Sequence, residues 1–185
     1  LGVRGASTTT LELDGARVAG DRVLGEPGQG LKLAVQVLDA GRLSVAAGCV
    51  GAARRSIELS VARARERRAF GRAIGEFGLV KDKVARMMAD TFAAESMTYL
   101  TAGLVDARVG DVAVESAASK LFASEAAWRA ADEALQIAGA GGYLASQPFE
   151  RMLRDARVHT IYGGTSETLR AFIALSGAER ALRTT

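Results

Sequence analysis

Apolar residues recur at three- and four-residue spacing along three long stretches, each closed by glycine. That period belongs to α-helices that bury a face against one another. The first stretch carries Leu31, Ala34, Val35, Leu38, Val45, Ala46, Cys49, Val50, Ala53 and Ile57 around more than one face, so it reads as a buried helix. It becomes amphipathic and basic through Arg54, Arg55, Arg63, Arg65 and Arg67, and it stops near Phe70 and Gly71. A loop with Gly71, Gly75 and Gly78 follows, then a second helix from about Leu79 to Ala107 with Val80, Val84, Met87, Thr91 and Ala94 on its stripe. Gly110 supplies a stop and Asp111 an N-cap for a third helix, Val112 to about Ile137, whose stripe is Ala117, Leu121, Ser124, Trp128, Ala131 and Leu135. Gly139 to Gly142 end it; a short segment near Pro148 and a last helix from Ser166 to about Arg180 complete the set. The expectation is a mainly α protein, an antiparallel four-helix bundle.

Two prolines and 5% aromatic residues in 185 agree with helices packed on helices rather than a sandwich or barrel. The chain starts differently. Thr8, Thr9, Thr10, Leu11, Glu12 and Leu13, then Arg17 and Val18, alternate like strand material before Gly25 to Gly30 break the pattern. Residues 1–27 therefore read as the end of a β-domain that begins earlier in a longer chain, a short β remnant, and residues 28–185 as the helical domain. Neither a solenoid-length repeat nor a low-complexity linker divides the bundle.

The formal charge of +3 comes from arginines interleaved with acidic residues rather than from a basic block, which argues against nucleic-acid binding. Cys49, the single cysteine, sits between Gly48 and Val50 in an apolar run and reads as a small packed hydrophobe in a reducing setting. No unbroken apolar run approaches the ~18 residues of a membrane span, so a soluble, cytoplasmic protein without membrane contact is expected. His159 is the lone histidine; without partners at ligand spacing it suits a surface or loop role rather than a metal site.

Chemistry concentrates in three motifs. Glu66, Arg67, Arg68, Ala69, Phe70 and Gly71 offer a guanidinium fork suited to phosphate oxygens. In Gln136, Ile137, Ala138, Gly139, Ala140, Gly141, Gly142 and Tyr143, a side-chain amide sits beside glycines that allow a cofactor to approach the backbone. Ile161, Tyr162, Gly163, Gly164, Thr165, Ser166 and Glu167 open the last helix, where free amides suit polar or anionic ligand atoms. Each also has a plainer reading: a solvated arginine, a helix stop, and a helix start capped by Thr165 or Ser166.

Taken together, in this order and with Glu150, Arg151, Arg154 and Asp155 ahead of the last motif, these stretches resemble the acyl-CoA dehydrogenase family. The resemblance runs along the whole chain and implies the family's C-terminal helical domain with the last strands of its middle β-domain. It implies FAD as cofactor, contacted by Gly164, Thr165, Ser166 and Glu167 of the same subunit, by Arg67 and Phe70 of a neighbouring one, and by Gln136 and Gly139. It implies an acyl-CoA or other acyl thioester as substrate, with Asp39, Arg42 and Gly163 along its pocket, although a salt bridge within the helix explains Arg42 equally well. It also implies a homo- or hetero-oligomer, such as a homotetramer or a dimer, and an electron acceptor such as an electron-transfer flavoprotein.

Family chemistry removes the α-proton of the thioester with a carboxylate while hydride leaves the β-carbon for the flavin. Many members place that glutamate where this chain has Gly163, and others where it has Gly41; neither glycine can accept a proton. Asp39 is displaced around the helix from Gly41, and Glu167 belongs to the flavin-facing element. Gly78 and Ala140 also stand where the family often has glutamine and glycine. Three readings follow: an acyl-CoA dehydrogenase-like oxidoreductase taking its base from elsewhere, a non-catalytic subunit that completes a partner's FAD site, or a flavin monooxygenase on the same fold.

Overall fold

The computed structural model describes residues 1–183. Helices α1 (Gly30–Glu66), α2 (Gly78–Asp106) and α3 (Ala113–Ala138) form the body. The short α4 (Pro148–Ala156) and the terminal α5 (Ser166–Arg183) pack against α3. Helix ends fall within a few residues of the expected ones, because glycine and proline punctuate the chain where the apolar period stops.

Side-chain bonds fix the helix directions. Ser116 Oγ donates to the carbonyl of Asp39 at one end of α3, and Arg63 Nη2 donates to the carbonyl of Ala138 at the other, so α1 and α3 run parallel. Thr101 and Ser119 share a buried hydroxyl pair at 2.8 Å, while Lys83 near the start of α2 pairs with Glu133 near the end of α3, so α2 runs antiparallel to both.

The core between them is built mostly from alanine: Ala46 and Ala53 of α1 and Ala123, Ala127, Ala130 and Ala134 of α3 are buried. Small side chains let the helix backbones approach closely, and buried hydroxyls are satisfied locally. Ser60, Thr91 and Thr98 each donate to the carbonyl four residues back.

The structure departs from the sequence reading in three places. No strand forms within residues 1–27, which hold only a short 3-10 turn at Gly20–Arg22. A strand draws its hydrogen bonds from a neighbour, and none of the described residues pairs with this segment. The strands that do form are β1 (Arg68–Ala69) and β2 (Arg72–Ala73), an antiparallel hairpin just past α1. Phe70 and Gly71 turn it, both at positive φ (52° and 81°), the twist that suits a two-residue hairpin turn. Consequently α1 stops at Glu66, ahead of the expected Phe70.

The third departure concerns α1, whose buried residues begin only at Ala46. Leu31, Val37 and Leu38 at its start are exposed, because α3 packs along the later turns and residues 1–27 do not cover the early ones. By length and composition α1 would also qualify to cross a membrane, a test that core helices pass as well.

Candidate functional site

The last motif forms a two-glycine turn between a 3-10 turn (Arg157–Thr160) and α5. Gly163 has φ +67° and Gly164 φ +101°, and a Cβ on Gly164 would lie 2.9 Å from Leu169 Cδ2, so that position needs glycine for both backbone and space. Thr165 Oγ1 accepts the amide of Thr168 at 3.2 Å, making Thr165 the cap of α5.

Two cations from different helices hold this turn. Arg42 Nε donates to the carbonyl of Gly163 at 3.3 Å, while its Nη1 binds Asp39 Oδ1 at 2.9 Å. The salt bridge within the helix, one of the readings the sequence offered for Arg42, thus coexists with a contact to the turn. Burial raises the Asp39 carboxyl above its ordinary pKa, with Arg42 pulling it back down.

Lys120 supplies the second cation, and sequence reasoning missed it. Its side chain is fully buried, and Nζ donates to the carbonyl of Gly164 at 2.7 Å. The signal was there: Lys120 lies three residues after Ala117 and four before Ser124, on the apolar stripe of α3, where a lysine must have a polar target. Burial lowers its pKa. Burial also pushes the neighbouring Cys49 thiol up to about 12, so it stays protonated. His159, half-buried rather than on the surface, bonds through Nδ1 to the Tyr162 hydroxyl at 2.6 Å. No cluster of potential metal ligands forms among the described residues.

Among the described residues no carboxylate serves the turn. A Cβ on Gly163 would find only Lys120 Cε at 3.9 Å, and one on Gly41 would meet nothing within 4 Å, so both positions have room for the side chain they lack. Asp39 is engaged by Arg42. Glu167 is exposed, and its own amide and the nearby Thr165 side chain hold its carboxyl below the usual range.

In front of α5 lies a cleft of about 370 Å³ bordered by Trp128, Arg157, Thr165, Ser166 and Glu167. The buried Ser166 Oγ has no partner within the described residues. The amides of Gly164 and Thr165 likewise donate to no acceptor there. An orphan hydroxyl beside free amides fits a polar, acceptor-rich group such as a flavin ring.

The remaining candidates gather elsewhere. Arg67, Phe70, Gln136 and Gly139 sit where α1 and α3 end, and Gln136 is 16 residues along α3 from Lys120, roughly 24 Å at helical rise. Phe70 is 94% exposed at the hairpin tip, and Gly139 adopts φ +67°. Arg63, unflagged by the sequence, lies in the last turn of α1, four residues before Arg67, and leaves its Nε buried without a partner among the described residues. One copy of the chain therefore does not bring its two groups of candidate residues together.

A helix bundle carrying a clamped glycine turn defines a class of helical domains with a ligand-facing loop, and comparison with known proteins identifies it. The profile of the family described as "Acyl-CoA dehydrogenase, C-terminal domain" matches residues 28–177. The human very long-chain specific acyl-CoA dehydrogenase, mitochondrial, is 41% identical over 177 residues, covering 96% of this chain and 27% of that protein. A glutaryl-coenzyme A dehydrogenase solved with glutaryl-CoA superposes with a TM-score of 0.87 at 33% identity, over 90% of this chain and 42% of that one. A Bacillus anthracis acyl-CoA dehydrogenase complexed with FAD superposes at 0.82 with 34% identity, over 86% of this chain and 31% of that one. The chain belongs to the acyl-CoA dehydrogenase family. It spans about a quarter of the length of the human relative.

Proposed function

We propose that this chain is the flavin-loop domain of an FAD-dependent, acyl-CoA dehydrogenase-type oxidoreductase whose proton-abstracting base comes from outside these residues. Residues 1–27 then belong with a preceding β-domain and residues 28–185 form the helical domain. The observation that carries the reading is the turn itself: Gly163 and Gly164 are held in place by Arg42 and Lys120, yet among the described residues no free carboxylate faces them.

FAD, when bound, supplies the acceptor for hydride leaving the β-carbon of an acyl thioester. The chain's own residues bind and orient. Ser166 Oγ and the amides of Gly164 and Thr165 meet acceptor atoms of the cofactor, and the amide of Gly163 remains available to a thioester carbonyl as negative charge develops on it. Arg67 donates to diphosphate oxygens and Phe70 covers the cofactor edge. The ~24 Å between the two groups of residues makes it reasonable that they serve different copies of the cofactor in an oligomer. Electrons then leave to an acceptor such as an electron-transfer flavoprotein.

The same observation favours a second reading, a base-less subunit that completes the FAD site of a catalytic homologue. The experiment is anaerobic addition of a saturated acyl-CoA to the FAD-loaded protein, alone and with a homologue that carries the glutamate. Slow or absent flavin bleaching alone and rapid bleaching in the mixture support the proposal. Rapid bleaching alone overturns the base-less subunit reading. No bleaching in either anaerobic arm, with NAD(P)H-dependent oxygen uptake through a reductase in a separate aerobic assay, points to a flavin monooxygenase instead.

A further inference from the structure

We propose that Lys120 is a positioning residue: with Arg42 it draws two consecutive carbonyls of the Gly163–Gly164 turn inward and so fixes the amides of Gly164 and Thr165 toward the ligand side. The inference deepens the proposed function and rests on it.

A dipeptide of glycines is the most permissive stretch a loop can contain, so something outside it must select one conformation. Arg42 from α1 takes the carbonyl of Gly163, and Lys120 from α3 takes that of Gly164. Because each peptide unit is planar and trans, a carbonyl directed inward sends the next residue's N–H outward. The two amides that result belong to Gly164 and Thr165, and no acceptor among the described residues takes either.

The clamp is itself anchored. Asp39 holds the other arm of Arg42, and the carbonyl of Asp39 receives the hydroxyl of Ser116, one helical turn before Lys120. The turn is thus registered against the parallel pair α1 and α3.

Lys120 is an expensive choice for a core position, since a buried ammonium needs hydrogen bonds and a counter-charge. No carboxylate bonds to it: the Cys49 thiol stays protonated, and Glu125, the anion whose charge reaches Lys120, is paired with Arg170. Gly164 supplies its acceptor. The ammonium lies behind the turn, where its field favours negative charge developing on a bound group across it.

The test compares wild type, Lys120→Met and Lys120→Arg in the FAD-loaded protein by FAD titration, flavin midpoint potential and urea unfolding. Methionine fills the core without charge and is expected to leave stability equal or higher. It should nevertheless raise the FAD dissociation constant about tenfold and move the potential negative. Arginine should restore the potential in part. If Lys120→Met keeps both FAD properties within about twofold of wild type, the lysine only fills the core and the inference is overturned. Should Lys120→Met fail to fold, Lys120→Arg decides: a shifted potential in a folded protein supports positioning, and an unchanged one overturns it. A wild type that takes up no FAD sinks the proposed function separately. Backbone amide shifts of Gly164 and Thr165 in the apoprotein then decide, since positioning requires both to move in Lys120→Met and core filling leaves them in place.

Discussion

Arg42 Nε lies 3.3 Å from the carbonyl oxygen of Gly163, tying the first helix to a turn 121 residues further along the chain. The same guanidinium stands 5.4 Å from the centre of the Phe172 ring and binds Asp39, so one side chain joins α1, the glycine turn and α5.

Loss of that junction should be measurable as stability. With 12% and 18% of their side chains exposed, Arg42 and Asp39 form a mostly buried pair, and Arg42→Ala leaves the carboxylate without its counter-charge. We expect a loss on the order of 3 kcal/mol in urea unfolding, and a smaller one for the double variant Asp39→Ala/Arg42→Ala, which removes both charges. Equal midpoints for Arg42→Ala and wild type would show that the pair does not support the turn.

Phe70 holds a positive φ of 52° with its ring 94% exposed, an arrangement that a lone chain gains little from. Phe70→Gly should relieve about 1 kcal/mol of backbone strain, seen as a higher unfolding midpoint, while weakening FAD binding or self-association in sedimentation experiments. Unaltered binding and association would remove Phe70 from the cofactor site.

His159 gives the pH dependence its sign. Burial first and Lys120 second lower its pKa below the ordinary 6.5, while Asp155 opposes them. The unfolded chain then binds the proton more readily than the folded one, so this contribution to stability is complete above pH 6.5 and is lost as pH falls through the lower folded value. His159→Gln should flatten the melting temperature between pH 7 and pH 5 relative to wild type. A parallel drop in both proteins would place the acid sensitivity elsewhere.

Much of this architecture was legible because helical burial writes itself into the sequence. Met87, Thr91 and Ala94 are buried as their spacing on α2 requires, and Thr165 caps α5 as its position suggested. What escaped were properties that depend on a partner surface. Alternation at Thr8 to Leu13 describes a strand only when another strand is present to pair with it. The apolar period of Leu31 to Leu38 marks a face but cannot say what covers it. Lys120 was passed over because lysine in a helix is usually solvated, although its place between Ala117 and Ser124 marked it as inward. The hairpin at Phe70 was hidden because its turn uses a phenylalanine where asparagine or glycine is the common choice.

The account turns on the side chain that Gly163 does not have. Gly163→Glu places a carboxyl where a Cβ meets only Lys120 Cε, at the cost of a strained positive φ. The decisive measurement is the anaerobic rate of flavin bleaching by saturated acyl-CoA in the FAD-loaded wild type and in Gly163→Glu. Installing a positioned base should accelerate bleaching at least about 100-fold. A wild type that bleaches as fast as the variant would contradict the claim that its base lies outside this chain.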